Sequence, residues 1–436
     1  MELPKGWTIT SVGEIAQYIN GRAFKPQEWE EKGLPIIRIQ NLNNDKIKYN
    51  YTTKIYEDKY KVEYGDLLFA WSASLGAYIW RSSDAWLNQH IFKVIPFEGV
   101  DRKFMFYVLT NTVEHFYSKT HGSGMVHITK SIFEDTQILL PPFPEQQRIV
   151  EKIDALFSEL DKGVEILQIV KEQLKTYRQS VFKSAFEGRL PEISNIYFST
   201  RNIVDFFEVS GGLTKNSKRD KFSLKMPYLR VANVYFNFLD LDDIKSIGVT
   251  ESEVERTLLF PGDLLFVEGN GSKEQIGRVA IWNGELDKCL HQNHIIKGRP
   301  NGLMNVKYAL YYLMSKNGRD QILTIASSTS GLYTLSINKI KSLVLPFCSE
   351  QQKVIEAIES RLSVCDKLEQ LVDENLAKAD ALRQSILKKA FEGRLVPQDP
   401  NDEPAETLLE RIKAERAAAE QRKKRQKSVK RSKENG

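Results

Sequence analysis

Apolar positions along this chain follow two rhythms. In residues 36–40, 66–70, 76–80 and 91–95, β-branched, leucine and aromatic side chains crowd into short runs bounded by turn residues, which predicts strands. Residues 102–118 and 306–323 carry longer helical patterns. Over 145–190 the rhythm stretches further: Ile153, Leu156, Leu160, Leu167, Val170, Leu174, Tyr177 and Val181 recur every three or four residues, with a lapse at Gly163. Ile358, Cys365, Leu368, Val372, Ala379, Leu382 and Ile386 do the same in 350–395, with polar Asn375 on the seam. Such seams want a partner helix, and each is the obvious partner of the other.

The two long segments are copies. Residues 145–190 and 350–395 align without a gap and are identical at 18 of 46 positions, both ending in Ala-Phe-Glu-Gly-Arg-Leu. Upstream pieces repeat more loosely. Leu34-Pro35-Ile36-Ile37-Arg38-Ile39-Gln40-Asn41 matches Met226-Pro227-Tyr228-Leu229-Arg230-Val231-Ala232-Asn233, Gly65-Asp66-Leu67-Leu68-Phe69 matches Gly262-Asp263-Leu264-Leu265-Phe266, and Leu87-Asn88-Gln89-His90-Ile91 matches His291-Gln292-Asn293-His294-Ile295. The drifting offset puts insertions between fixed strands, as surface loops allow. The expected fold is α+β: two tandem α/β globules separated by two long helices that pair as an antiparallel coiled coil, with a pseudo-twofold internal repeat. Expected boundaries are 1–144 and 191–349 for the globules, 145–190 and 350–395 for the helices, and 396–436 for a C-terminal segment with a basic, disordered tail. Helices of this length run about 60 Å, which would make a rod with one globule near each end.

Composition adds two constraints. With 41% hydrophobic and 27% charged residues, the 436-residue chain is globular for most of its length and ample for two domains. The net charge of +5 is misleading: residues 421–436 hold eight basic residues and one acid, so the rest of the chain sums to −2. The case for a nucleic-acid ligand therefore has to be local. No apolar run is long enough to span a membrane, the start Met1-Glu2-Leu3-Pro4-Lys5-Gly6-Trp7 has no signal-like core, and Cys289, Cys348 and Cys365 form no framework. A cytoplasmic protein with no membrane partner is expected.

Several tempting chemistries fail on residue type. Gly269-Asn270-Gly271-Ser272-Lys273 lacks the Gly-Lys-Ser/Thr order of a phosphate-binding loop. Leu140-Pro141-Pro142-Phe143 has leucine where an amino-methyltransferase needs Asn or Asp. Asp263 and Glu268 lack the lysine of a metal nuclease two residues on, since Asn270 stands there. Cys289, His291 and His294 suggest zinc, but no fourth ligand is near in sequence and His291 aligns with Leu87. No ATP, methylase, nuclease or metal site is therefore expected in this chain.

Two related globules on a spacer suit two separated sites on a linear polymer, and double-stranded DNA is the natural one. In the first globule, Arg38, Gln40, Asn41 and Asn43 offer groups for base edges, and Gly21, Arg22 and Lys25 suit phosphates. Trp71, Ser72 and Ser74 follow a strand end, and His121, Gly122 and Ser123 lie in a polar loop. Lys215, Arg230, Asn233, Asn270, Ser272, Lys273, Gln275, Ser328 and Tyr333 are the candidates in the second. Each has a plainer reading. Arg38 can pair with a carboxylate, Asn41 can cap a turn, and the Arg-x-x-Asn shared by both globules can be a requirement of the fold.

These residues carry a family resemblance. The opening Leu3-Pro4-Lys5-Gly6-Trp7, the Leu140-Pro141-Pro142 followed by Glu145-Gln146-Gln147, the Leu345-Pro346 followed by Glu350-Gln351-Gln352, both Ala-Phe-Glu-Gly-Arg-Leu ends and Leu408-Leu409-Glu410-Arg411-Ile412 resemble the specificity subunit of type I restriction-modification enzymes over residues 1–420. The resemblance implies that each globule is a target recognition domain reading one half of a bipartite, asymmetric site, and that the helices set the unread gap. It implies two modification (methyltransferase) subunits, which use S-adenosylmethionine to methylate adenines, and two restriction (motor-nuclease) subunits, which use ATP and Mg. This chain would then be noncatalytic. The alternatives are a coiled-coil scaffold without DNA readout and a stand-alone enzyme with an unfamiliar site.

Overall fold

A computed structural model describes residues 3–44, 46–119, 127–329 and 331–434. The chain divides into two compact units, one made of Met1–Glu165 with Asn375–Gly436 and the other of Ile166–Glu374. The expected mixed α/β class, with a repeated globule and two long helices, is what the chain adopts.

The first unit is built on a four-stranded antiparallel sheet in the order Ala16–Asn20, Ile91–Pro96, Leu67–Ala70, Gly76–Ile79. Every residue of Leu67–Ala70 is buried, as an inner strand covered on both faces requires. A second sheet runs Asn50–Thr52, Leu34–Ile37, Ala85–Leu87, Lys61–Val62, with Leu34–Ile37 parallel to Ala85–Leu87. The helix Arg102–Lys119 lies on the first sheet, and Phe69 meets Phe116 and Phe133 at 5.6 and 4.8 Å between ring centroids. Thr8–Ser11 pairs with Gln137–Leu140 just ahead of the first long helix, Phe143–Phe186. Ala405, Leu408, Leu409 and Ile412 of the C-terminal helix Ala405–Glu434 are buried in the same core. That helix takes in the basic run expected to be disordered. Its Ala, Glu, Lys and Arg residues are strong helix formers, continuing a helix whose first turns are packed.

The second unit repeats this plan. Its antiparallel sheet runs Phe207–Gly211, Ile295–Pro300, Leu264–Val267, Val279–Ile281. Its second sheet runs Lys245–Gly248, Lys225–Leu229, Leu290–His291, again with one parallel pair. The helix Glu251–Thr257 and the chain after it, where Leu259 N donates to Cys289 O at 2.9 Å, stand where the first unit has its edge strand Lys61–Val62. Two expectations shift locally. The helical run 306–323 breaks into Val306–Met314 and Lys316–Ile325, because Ser315 Oγ accepts from Gly318 N and restarts the helix. The strand expected over 36–40 stops at Ile37, because Asn41 turns the chain into the short helix Ile39–Asn43.

The repeated long-helix ends have physical reasons. Gly188 and Gly393 sit at φ +67° and +68° just past Phe143–Phe186 and Gln351–Phe391, where a side chain would be strained. The amides that follow close both ends alike: Arg189 N donates to Ser184 O and Arg394 N to Lys389 O, both at 2.8 Å. At the starts, Gln146 Oε1 accepts from Asp101 N at 2.8 Å and Gln351 Oε1 from Asn305 N at 2.7 Å, tying each long helix to the residue just ahead of Arg102–Lys119 and of Val306–Met314. Within the second unit the long helices run antiparallel, with Lys171 paired to Asp373 at 2.6 Å and Arg178 to Asp366 and Glu369. Ile358, Cys365, Val372, Ala379 and Ile386 are buried as their seven-residue spacing requires. Tyr177, Leu368 and Leu382 are about half exposed instead. The neighbouring Arg178, Glu369 and Arg383 turn inward, and Arg383 pairs with Asp161 over the Phe157 ring.

Candidate nucleic-acid interface

In the first unit, one corner gathers the ends of three strands. Gly21 follows Ala16–Asn20, and a Cβ there would stand 2.0 Å from Asn88 O, so only glycine lets the two segments touch. Arg22 N then donates to Leu87 O, Gln89 N to Arg22 O and Asn88 N to Ile37 O. Trp71, beyond Leu67–Ala70, donates from Nε1 to Asn20 Oδ1 at 3.0 Å and lies 4.8 Å from the His90 ring. Gln89 and Gln40 are exposed on this corner, and Lys25 is exposed on the loop after Arg22. Asn43 is exposed too, accepting from Tyr78 Oη.

Other candidates of this unit are committed to the fold. Asn41 is buried: its Oδ1 accepts from Arg38 N, and its Nδ2 donates to Ile47 O. Arg38 donates to Lys48 O and lies over Trp29 at 5.8 Å. Arg22 pairs with Glu28 at 2.7 Å and lies over Tyr56 at 4.3 Å, and this bond holds Glu28 at about 2. Ser72 is buried and bridges to His127, and Ser74 is half-buried. His121, Gly122 and Ser123 lie outside the described residues.

The corresponding corner of the second unit has the same skeleton and different side chains. Gly212 approaches His291 O as Gly21 approaches Asn88 O, with a Cβ placed 2.2 Å away. Asn233 is buried like Asn41, with Oδ1 accepting from Arg230 N and Nδ2 donating to Asp240 O, each at 2.9 Å. Arg230 pairs with Asp243 at 2.9 Å. The repeated Arg-x-x-Asn is thus a turn-holding device in both copies. Gly269–Asn270 forms a small sheet with Leu332–Thr334 and Ser327–Thr329, so that Asn270 and Ser328 both oppose Tyr333. Ser272 N donates to Asn270 Oδ1, and Gln275 N to Ser272 O. Asn270, Ser272, Gln275, Ser328 and Tyr333 therefore share one patch, flanked by exposed Lys273. Lys215 is exposed on a separate loop.

The spacing of candidate residues passed over three features. Arg278 is buried, stacks on Tyr235 at 4.7 Å and has its pKa lowered by burial. Arg319 donates to Gly277 O and Ile276 O and so fixes the loop carrying Gln275, with burial lowering it to about 10. Asn88-Gln89-His90 and Gln292-Asn293-His294 turn up at both corners, and that repeated polar triplet was the available signal. The three zinc candidates go separate ways. Cys289 is buried and pushed up to about 12 by burial, His291 Nδ1 faces Ile295 O at 2.9 Å, and exposed His294 pairs with Glu268 at 3.0 Å. Among the described residues no group of three or more His, Cys, Asp or Glu is placed to hold a metal.

Amides, hydroxyls, indole and arginine at paired loop corners, on duplicated α/β units joined to long helices, define a recognition protein. The comparisons give the family. The description "Type I restriction modification DNA specificity domain" matches twice, at residues 4–172 and 196–376. The chain is 29% identical to the type I restriction enzyme EcoKI specificity subunit of Escherichia coli K12, over 96% of this chain and 97% of that one. It is 25% identical to the EcoBI specificity subunit of Escherichia coli, over 96% and 94%. A chain solved for the structural basis of complex assembly and conformational transition of the type I R-M system has a TM-score of 0.65 at 17% identity, covering 90% of this chain and all of that one. The HsdS subunit from Thermoanaerobacter tengcongensis has a TM-score of 0.52 at 17% identity, over 90% and 98%. These two carry the fold alone.

The chain belongs to the type I restriction-modification DNA specificity family. It is a specificity subunit, the noncatalytic component that supplies DNA sequence specificity to a complex with other restriction-modification subunits. Among the described residues no helix is long and apolar enough to cross a membrane.

Proposed function

We propose that residues 1–144 and 191–349 are target recognition domains, each reading one half of a bipartite, asymmetric site in double-stranded DNA. One observation carries this: the two units share strand order and turn devices, yet present different side chains at the same corner. Shared positions hold the scaffold, and divergent ones are free to set base preference. Lys25, Gln40, Asn43 and Trp71 are the readers and phosphate contacts of the first domain. Lys215, Asn270, Ser272, Lys273, Gln275, Ser328 and Tyr333 are those of the second. Arg22, Arg38 and Arg230 join them where DNA phosphates or guanines replace the internal partner.

The helices Phe143–Phe186 and Gln351–Phe391 set the unread gap. Their exposed Ile166, Ile169 and Val364 give apolar contact area for a modification subunit. Two modification subunits bring S-adenosylmethionine and methylate adenines, and two restriction subunits bring ATP and Mg. The chain works in the cytoplasm.

The test is a map of methylated adenines in source cells with and without this gene. Loss of one gapped, two-part motif on deletion supports the reading, and loss of an ungapped motif overturns it. Replacing residues 1–144 by another recognition domain should then change one half-site and spare the other. An unchanged site would sink the two-domain reading.

A further inference from the structure

The C-terminal helix Ala405–Glu434 has two halves of opposite character. Its first turns are packed: Ala405, Leu408, Leu409 and Ile412 are buried. Arg416 donates to Gly13 O and Glu14 O and lies over Phe97 at 5.2 Å, while Lys413 pairs with Glu14 at 3.0 Å. Acids are spread through this half at Glu406, Glu410, Glu415 and Glu420. From Arg422 to Lys433 there are eight basic residues and no acid, in a chain whose other 420 residues sum to −2. A helix needing only solubility would mix signs. This one sets like charges three and four residues apart, at Lys423 and Lys427, Lys427 and Arg431, and Lys430 and Lys433. Such pairs destabilise a helix, and a polyanion relieves them.

The spacing also says what the segment is not for. Val429 is the one apolar residue between Arg422 and Lys433, so no apolar stripe exists for a groove or a membrane surface. The backbone is continuous with the anchored turns, so the basic half starts within about 10 Å of Arg416 at 1.5 Å per residue.

We propose that residues 422–433 are a sequence-independent grip on the DNA phosphate backbone. It adds affinity to the sequence-reading corners and leaves base preference to them. This rests on the DNA-reading function proposed above.

The test uses the full chain in its complex with the other subunits. Two duplexes of equal length serve as probes, one carrying the methylation motif and one without it. The variants are a truncation after Gln421 and the length-preserving set Arg422→Gln, Lys423→Gln, Lys424→Gln, Arg425→Gln and Lys427→Gln. Both should weaken binding to the two duplexes by the same factor, at least about tenfold at low salt, and make the log–log salt dependence shallower by about 3 to 4. The ratio between duplexes should not move. Unchanged salt slopes overturn the grip. So does a complex that loses a partner subunit while its salt slope persists, which would make the segment a dock for an acidic protein surface. If the intact complex shows no preference for the motif duplex, the half-site reading fails instead, and the slope on the other duplex still decides the grip.

Discussion

Asp66 in the first unit and Asp263 in the second do the same work. Each accepts a backbone amide three residues back at 2.8 Å, from Glu63 and from Phe260, and each holds a cation of the neighbouring strand, Lys93 at 2.6 Å and Arg299 at 2.9 Å. Asp154 with Lys103 and Tyr107 in one unit is matched by Glu359 with Lys307 and Tyr311 in the other. The loop corners share backbone and differ in side chain. Trp71 lies 4.8 Å from the His90 ring, whereas its counterpart Glu268 pairs with His294, the counterpart of His90, at 3.0 Å. Interactions that close the fold survive duplication because their loss costs stability. Exposed corners carry no such penalty and are free to diverge.

The comparison breaks hardest in the cores. Phe69→Ala and Phe266→Ala, fully buried equivalents, should each cost about 3–5 kcal/mol. Phe69 should sit at the upper end, because it also loses ring contacts with Phe116 and Phe133. Residue-resolved hydrogen exchange under denaturant will show whether each loss stays in its own unit.

The paired glutamines should differ in degree. Gln146 is buried and also donates to Gly99 O and Pro141 O, so Gln146→Ala leaves several buried groups unmade and should cost about 1–3 kcal/mol. Gln351→Ala exposes one amide at a half-open site and should cost less, read as protection of 102–119 against 306–314. Equal losses would mean that the extra bonds of Gln146 contribute nothing.

Acid should separate the units. Burial, then the nearby Lys297 charge, pushes His291 down to about 3, whereas an unfolded imidazole titrates near 6.5. Between those values the unfolded chain binds a proton that the folded chain refuses. Stability of the second unit therefore falls with falling pH, by about 1.4 kcal/mol at pH 5.5, and is unaffected above pH 7. His291→Leu, the residue type at the aligned Leu87, should flatten that dependence in pH-resolved melts. A slope unchanged by the substitution would clear His291 of the effect. The smallest change is expected at the exposed Lys171–Asp373 pair, where Lys171→Ala should leave the melting midpoint within error.

Much of the fold was legible because its signals are local. Seven-residue spacing marks Ile358, Cys365, Val372, Ala379 and Ile386 as a buried line. The terminal Gly-Arg-Leu announces a helix stop, and the strand runs at 67–70 and 91–96 are short and apolar. The site was legible in part. Asn270, Ser328 and Tyr333 are candidates by type, but their meeting in one patch spans more than 60 residues of chain. Arg278 looks like any surface arginine until burial is known.

The sequence by itself determined the duplication, the two long helices with their capped ends, and the segregation of positive charge beyond residue 420. These depend on repetition, spacing and counting. Only the tertiary structure decided that Asn41 and Asn233 face inward to hold turns, that Leu368 and Leu382 give way to Glu369 and Arg383, and that Ile36 runs parallel to Trp86. Whether a polar side chain reads a ligand or closes a turn depends on which backbone groups distant in sequence are left without water, and that is settled by packing.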